Sequence, residues 1–409
     1  MKFSGAHFYI KYCFINIILK MLCLLLHLCL LYFNIYHIYS YETFVLPYFD
    51  VDKGRMTILY FGEHVTGVYG ILSLTSQYTL LTNQSSYKRE LSSSYKLNSV
   101  NQTIANIYDV FQTGRYNSKG VALLNFYCYN ENINNDIEDN IFGFSLKFDS
   151  PSFSIVHQLY DKGLIDENAF GLSPFYDEDQ GDIYIGKLPS YVIENKVKVV
   201  CDVNINYFGW NCYLRYVYIG NDKYKGYHLN VIGTFVSDRR DIVVGKNLWE
   251  FFVANIFEKY FFENKICEYE NITDSHYRRI KCNCSNVNQI PQIAFVIGKY
   301  ELHFKEYDLF TSTIFHTCRF NIIYNTQQDP NTILIGTAFY KNFFIYFRYT
   351  QKQIEIFSRN NIILTDLNDS FLNETKLKYN EHQIKLIYII LLYLLTSNSL
   401  LLFYDIYKY

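Results

Sequence analysis

The feature that most constrains the fold of this 409-residue chain is a succession of apolar runs only four to seven residues long. Clusters of Asn, Gly, Asp and Ser separate these runs, which are rich in the Ile, Val, Tyr and Phe that favour strands. The runs cover residues 56–61, 68–72, 78–81, 121–127, 182–186, 213–219, 293–297 and 343–349. Because helices need longer periodic segments, runs of this length and composition predict a mainly β chain.

Two stretches depart from this pattern and predict short helices. In residues 154–162, Ile155 and Leu159 lie four positions apart, and Gly163 follows as a stop signal. In residues 248–262, apolar and aromatic side chains recur on one side of a helix. We therefore expect a mainly β fold that contains a few short helices.

The amino-terminal region has the order of a secretory signal. Three lysines precede an apolar run at residues 21–33, and a more polar stretch follows it. This order is typical of a signal peptide. We predict that residues 1–40 form a signal peptide or a retained signal anchor, and Met21 is an alternative start.

A second long apolar run, at residues 384–403, lies near the carboxyl terminus. About twenty residues at ~1.5 Å each can cross a ~30 Å hydrocarbon layer. We predict one transmembrane helix there, a polar stalk at residues 360–382 before it, and a body on the luminal or extracellular side. A lipid-anchor signal and a buried core helix are the alternatives.

Other residues agree with export into the secretory pathway. Six Asn-x-Ser/Thr acceptor triplets are consistent with a glycoprotein, and they begin at Asn83, Asn101, Asn271, Asn283, Asn368 and Asn373. Seven cysteines lie outside the leader, and most of them are expected to form disulfides in an oxidising compartment. Cys282-x-Cys284 has no second Cys or His pair at matching spacing, so we expect no metal site and no cofactor. The net charge of −2, with scattered Lys and Arg, predicts no nucleic-acid surface.

Six landmarks of the sequence stand in the order found in one known family. They are QLYDKGLIDENAF at 158–170, GDIYIG at 181–186, the segments at 210–221 and 291–307, ILIGTAFYKNFFIYF at 333–347, and KQIEI at 352–356. With these segments the chain resembles the pepsin-type (A1) aspartic proteases. In its layout it resembles their membrane-anchored, plasmepsin-like branch.

The resemblance implies a bilobal acid-protease fold with a cleft between two β lobes. The lobes would comprise residues 41–190 and 191–359, and the cleft would hold a peptide or protein ligand. Each lobe would bring a loop to the cleft floor, braced by an apolar-apolar-Gly turn. The chain offers such turns at 141–143 and 334–336, where Gly permits another segment to cross closely.

The catalytic motifs of this family are altered at both positions. Family catalysis uses two carboxylates that share one proton, each within Asp-Thr-Gly or Asp-Ser-Gly. By the resemblance, Ser73 falls on the first Asp and Thr75 on its Gly. Val236 falls on the second Asp, and Ser237 and Asp238 follow on the Ser and the Gly. The resemblance thus implies a cleft without the catalytic pair.

The hairpin flap that covers the family's cleft is altered as well. Its tip is matched by residues 111–114, which places Phe111 on the flap Tyr and Gly114 on the flap Gly. The candidate binding cleft is therefore lined by Ser73, Thr75, Phe111, Gly114, Ser237 and Asp238. The family's Asp near the end of the last lobe strand is Arg348 here.

The family also often closes a disulfide loop in the second lobe. The candidate cysteines are Cys267, Cys282, Cys284 and Cys318. The resemblance favours a bond from Cys318 to either Cys282 or Cys284, and both alternatives stay open.

Three functions are compatible with these residues. The first is a catalytically inactive homologue that binds a peptide or protein, or acts as a membrane-tethered scaffold. The second is an active endopeptidase that uses a displaced carboxylate at Asp238 or Asp241. The third is a structural surface protein with a closed cleft. A serine nucleophile at Ser73 with His64 as base lacks the G-x-S-x-G turn that would expose it.

Overall fold

The computed structural model describes most of the chain from residue 43 to residue 372. The described ranges are 43–51, 54–61, 66–76, 78–82, 96–100, 104–112, 122–129, 139–146, 154–174, 180–270, 276–305, 308–313, 316–330, 332–369 and 371–372, together with residues 21, 22, 25, 87 and 92. The predicted span at 384–403 and most of the predicted leader lie outside these ranges. Within the ranges, none of the helices is long and apolar enough to cross a membrane.

Strands dominate the first half of the chain, as the short apolar runs predict. They are β1 (Phe44–Val51), β2 (Gly54–Phe61), β3 (Thr66–Ser73), β4 (Leu80–Leu81), β5 (Lys96–Val100), β6 (Ile104–Gln112), β7 (Ala122–Tyr129), β8 (Asn140–Gly143), β9 (Ala169–Leu172) and β10 (Gln180–Ile185). Helix α1 (Ile155–Asp161) confirms the first predicted helix. A short helix, α2 (Ser190–Ile193), follows β10.

The second half has the same character. Its strands are β11 (Val197–Asp202), β12 (Asn211–Ile219), β13 (Tyr227–Phe235), β14 (Ile242–Val244), β15 (Cys267–Glu270), β16 (Tyr277–Asn283), β17 (Ile293–Ile297), β18 (Tyr300–Phe304), β19 (Phe310–Ser312), β20 (Thr317–Phe320), β21 (Ile322–Asn325), β22 (Thr332–Ile335), β23 (Phe344–Arg348), β24 (Gln353–Ser358) and β25 (Ile362–Leu364). The second predicted helix is present as α3 (Lys246–Phe252), which continues as a π-helix at Val253–Phe262. Short 3₁₀ turns lie at Cys284–Gln289 and Thr337–Asn342.

The described strands form two large sheets. The first has 13 strands in the order β11-β24-β23-β9-β10-β1-β2-β3-β8-β4-β7-β6-β5. The second has 12, ordered β19-β20-β16-β21-β14-β22-β13-β12-β17-β18-β25 with β15 paired to β16. The second half of the chain supplies β11, β23 and β24 to the first sheet. The first sheet therefore combines strands from both halves of the chain, and the lobe boundary at residue 190 stays a prediction.

Each lobe contains the same crossed arrangement of strands, which we call its ψ loop. In the first, β3 runs parallel to β8 and pairs Ser73 with Gly143. In the second, β13 runs parallel to β22 and pairs Phe235 with Ile335. A side chain at Gly336 would collide with the backbone of residues 240–241, so this close crossing requires glycine.

Aromatic side chains fill the junction between the sheets. Trp210 is fully buried and packs within 5.0–6.1 Å of Phe170, Phe347 and Tyr349, measured between ring centroids. Its indole N–H donates to the carbonyl of Phe144 at 2.8 Å, and the Tyr349 hydroxyl donates to the same oxygen at 2.9 Å. Because burial of large aromatic rings dominates core energetics, this cluster fixes how the lobes meet.

Three disulfides stabilise the second half of the chain. They join Cys201 to Cys212, Cys267 to Cys282 and Cys284 to Cys318. Of the two partners left open for Cys318, the structure pairs it with Cys284, because Cys282 is bonded to the opposite residue of β15. Neither cysteine of the Cys282-x-Cys284 motif is therefore a thiolate that could ligate a metal.

The chain beyond β24 packs on the outer face of the second lobe. We call residues 362–372 the strap. Its first part, β25, pairs with β18, and Leu367 and Leu372 are buried against Tyr216 and Tyr218. Residues 362–372 were predicted to belong to a polar stalk at 360–382, but in the structure β25, Leu367 and Leu372 pack against the second half of the chain.

A buried carboxylate holds the strap in place. Glu301 is fully buried and accepts hydrogen bonds from Tyr218 at 2.7 Å, from Thr365 of the strap at 2.6 Å and from His303 at 3.1 Å. Lys223 forms an ion pair with it at 3.1 Å. Burial raises the pKa of Glu301, but these donors outweigh that effect and lower it from 4.5 to about 2.

Acid is expected to loosen the strap. Because the folded pKa of Glu301 lies below its ordinary value, the stability it contributes is complete above pH 4.5 and is lost as the pH falls through about 2. Amide hydrogen exchange of the strap, corrected for intrinsic rates, should show protection falling across that window.

Two variants control this measurement. Glu301→Gln should reduce protection of the strap near neutral pH and flatten the pH dependence. Glu258→Gln, at an exposed position of the π-helix, should behave like the native chain. Protection of the native strap that stays constant down to about pH 2 would rule out this role of Glu301.

Candidate functional site

The two ψ loops are joined by one buried hydroxyl. Ser237 Oγ accepts a hydrogen bond from the backbone N–H of Leu74 at 2.9 Å and donates to the carbonyl of Leu72. Ser237 is 1% exposed. These two partners, Leu72 and Leu74, are the residues directly before and after Ser73. Val236 is the residue directly before Ser237. The structure therefore brings Ser73 and Val236 to the two sides of a single hydrogen-bonded bridge.

The bridge is one-sided. Leu74 occupies the position in the first lobe that corresponds to Ser237 in the second, and its side chain has no hydrogen-bonding group. Leu74 is fully buried within the core instead. The Ser237 hydroxyl is thus the single side-chain bridge between these two turns, within the part of the chain that the structure describes.

Ser73 uses its hydroxyl within its own turn. Ser73 Oγ accepts from the backbone N–H of Ser76 at 2.9 Å and lies 3.2 Å from the hydroxyl of Thr75. The Ser73 carbonyl accepts from Phe144 N–H at 2.8 Å. A serine nucleophile needs a hydrogen-bonded base, but both side-chain contacts of Ser73 are local, and His64 lies outside the described residues.

Val236 places an aliphatic side chain at the corresponding point of the second ψ loop. It is 4% exposed, and its N–H donates to Ile335 at 3.0 Å. Its carbonyl accepts from the Tyr340 hydroxyl at 2.9 Å. Neither Ser73 nor Val236 can donate or accept a proton as a carboxyl group does, so these positions cannot form a pair that shares one proton.

The two candidates for a displaced acid have different surroundings. The Asp238 side chain is 46% exposed and lies 3.8 Å from Arg239. Asp241 forms an ion pair with Arg279, which also lies 3.6 Å from Glu270. Burial raises the pKa of Asp241, and Arg279 opposes that shift. Among the described contacts, neither aspartate is hydrogen-bonded to a second carboxylate.

The predicted flap corresponds to an antiparallel hairpin of β6 and β7. Phe111 is paired with Ala122 across this hairpin and with Phe61 of β2. The hairpin tip, including Gly114, lies outside the described residues. The described part of the flap hairpin is therefore part of the first sheet, where β6 pairs with β2.

Arg348 supports the shared sheet. It forms ion pairs with Glu167 at 2.6 Å and Glu355 at 3.2 Å, and Glu355 also binds Lys198 at 3.3 Å. These groups link β23 to its neighbours in the first sheet.

A buried arginine lies behind the second ψ loop, and sequence reasoning missed it. Arg55 on β2 is fully buried, and its guanidinium carbon lies 4.3 Å from the ring centroid of Tyr48 and 4.5 Å from that of Tyr340. Its backbone N–H donates to the Ser237 carbonyl at 2.9 Å. The sequence carries little signal for it, because Arg55 follows a Lys-Gly pair and directly precedes the apolar run at 56–61, where a charged residue is ordinarily exposed.

The comparisons with known proteins support the fold. No protein-family model matches the sequence, and no curated protein matches it. Among solved structures, the chain is similar to the crystal structure of aspartic proteinase from Irpex lacteus, with a TM-score of 0.59 and 11% sequence identity. The match covers 78% of this chain and 98% of that protein. The chain therefore has a pepsin-like, mainly β bilobal fold.

Proposed function

We propose that this protein is a catalytically inactive homologue of the pepsin-type aspartic proteases that binds a peptide or protein in its interlobe cleft. One observation carries the proposal: the Ser237 bridge joins the two ψ loops with Ser73 and Val236 on either side of it. In a protease of this type, those positions need two carboxylates. The scaffold of the cleft is kept while the reacting groups are replaced.

We further propose that the body is displayed on the luminal or extracellular side of a membrane, as a ligand-binding module or scaffold. The apolar run at 384–403 supports a single-pass anchor. The three disulfides support an oxidising compartment. The strap supports a defined exit point, because it fixes the chain on the second lobe shortly before that run.

The direct test is cleavage of a peptide library by the purified full chain in detergent, from about pH 4 to 7.5, with and without pepstatin. We expect no pepstatin-sensitive turnover, because no second carboxylate among the described residues is hydrogen-bonded to Asp238 and could share a proton with it. Binding of labelled library peptides to the same sample should be measured in parallel.

The same assay can overturn the proposal. Pepstatin-sensitive turnover that is lost in Asp238→Asn would establish an active protease with a displaced acid. As a matched control, Asp202→Asn changes an aspartate at the edge of the first sheet and should leave the result unchanged. A folded chain that neither cleaves nor binds any peptide would favour a structural protein with a closed cleft.

A further inference from the structure

The segment between β11 and β12 exposes large apolar side chains. We call residues 203–210 the aromatic loop. Within it, Ile205 is 58% exposed, Tyr207 is 41% exposed and Phe208 is 64% exposed. Single exposed apolar residues are ordinary on a protein surface, but three within four positions form a patch of the kind that marks an interaction site.

The aromatic loop is closed at its base. A disulfide joins Cys201, before the loop, to Cys212, after it. Next to this bond the fully buried side chain of Asn211 accepts from the N–H of Asn204 at 2.9 Å and donates to the carbonyls of Asn204 and Gly209 at 3.1 Å. The exposed side chains are therefore carried by a braced backbone, which reduces the entropy that is lost when a ligand binds.

The aromatic loop ends beside the cleft floor. A side-chain carbon at Gly209 would lie 3.7 Å from the carbonyl oxygen of Leu74, and the carbonyl of Trp210 accepts from the N–H of Phe235 at 2.8 Å. Leu74 directly follows the first of the two substituted catalytic positions, and Phe235 directly precedes the second. The end of the loop thus adjoins both ψ loops at the place where the Ser237 bridge joins them.

The substituted positions of the floor offer a ligand little polar chemistry. Val236 is aliphatic, and the Ser73 hydroxyl is engaged within its own turn by Ser76 and Thr75. Exposed apolar area beside such a floor is a ready source of binding energy, because aromatic side chains dominate the energetics of protein interfaces.

From these contacts we propose that the aromatic loop is a recognition element of the cleft, and that it selects peptide segments with large aliphatic or aromatic side chains. The ligand packs such a side chain against Tyr207 and Phe208 while its backbone lies along the floor. The inference rests on the proposed binding function and names the ligand class for it. Because the attraction comes from apolar area and not from charge, it does not weaken as sodium chloride screens ionic contacts.

The experiment compares two fluorescent peptides of equal length and equal charge, one with Phe and Leu and the other with Ser and Asn around its centre. Binding to the full chain in lipid nanodiscs is measured by anisotropy at low and high salt, with empty nanodiscs as the blank. Nanodiscs avoid free detergent, which would compete for an apolar loop. We expect the apolar peptide to bind at least about tenfold more tightly than the polar one at both salt concentrations.

Variants of the aromatic loop test its part in this preference. Phe208→Ser should weaken the apolar peptide about fivefold and leave the polar peptide unchanged. Phe208→Tyr keeps a ring and should retain most of the preference. The matched control is Tyr191→Ser, which removes a ring that is 69% exposed on α2 and should bind both peptides like the native chain.

The outcomes separate this inference from the proposed function. Equal binding of the two peptides would overturn the inference and leave the binding function standing. An unchanged apolar preference in Phe208→Ser, or an equal loss in Tyr191→Ser, would also overturn it. Native chains that associate through the loop, and that Phe208→Ser separates without changing peptide selection, would assign the loop to a second copy of the chain instead. Binding of neither peptide would overturn the proposed binding function itself.

Discussion

Replacing Ser237 by Ala is expected to lower the free energy of unfolding by about 2–4 kcal/mol, because two buried backbone groups lose their partner. The hydroxyl serves the N–H of Leu74 and the carbonyl of Leu72, and Ser237 is 1% exposed. The change should also weaken peptide binding, since the bridge aligns the two ψ loops on the cleft floor. Urea denaturation and peptide anisotropy on the same samples measure both effects.

Two control variants separate the bridge from other causes. Ser237→Thr keeps the hydroxyl and should cost less than about 1 kcal/mol, whereas Ser190→Ala removes an exposed hydroxyl of α2 and should change stability by less than about 0.5 kcal/mol. Ser237→Ala with native stability would show that the bridge contributes nothing. A loss in Ser237→Thr as large as in Ser237→Ala would point to crowding rather than to the hydrogen bonds.

The fold was predictable because its signals are local and repeated. Short β-branched and aromatic runs fix most strands, and the spacing of Ile155 and Leu159 fixes helix α1. The Gly at 336 follows an apolar pair and stands where a second segment crosses. Each of these features can be read within a window of a few residues.

Other parts depend on distant partners and could not be read this way. Arg55 looks like a solvated charge in sequence, whereas in the structure its guanidinium lies against the rings of Tyr48 and Tyr340, which are distant in sequence or on another strand. The strap looks like a polar stalk because Leu367 and the pair Phe371-Leu372 interrupt a stretch of Thr, Asp, Asn and Ser only briefly. The choice between two disulfide partners for Cys318 depends on the pairing of β15 with β16.

Introducing aspartates at both Ser73 and Val236 is expected to make the stability of the protein depend steeply on pH. If these positions face each other across the Ser237 bridge, two ionised carboxylates repel by about 4 kcal/mol at ~4 Å and an effective dielectric constant of ~20. The pair then titrates in two steps, and the second carboxyl to ionise has a folded pKa raised above its unfolded value. The protein is stable while one proton is shared, and that stability is lost as the pH rises through the folded pKa.

The measurement is a double-mutant cycle with the native chain, the two single variants and the double variant, unfolded in urea at about pH 4 and 7.5. Each single variant carries its own cost of burial, so only the coupling between the two reports on their proximity. We expect coupling near zero at the lower pH and unfavourable by several kcal/mol at the higher pH. Pairing Ser73→Asp with Ser190→Asp, at an exposed position of α2, should give no coupling at either pH.

This cycle tests the placement of the two positions separately from any activity. Coupling below about 0.5 kcal/mol at both pH values would mean that the side chains do not face each other. The inactive-cleft proposal would then lose the observation that carries it, even if no peptide is cleaved. Strong coupling at the higher pH would show that the cleft floor still holds its two central positions in contact. The native residues at those positions, and not a rearranged floor, would then account for a lack of cleavage.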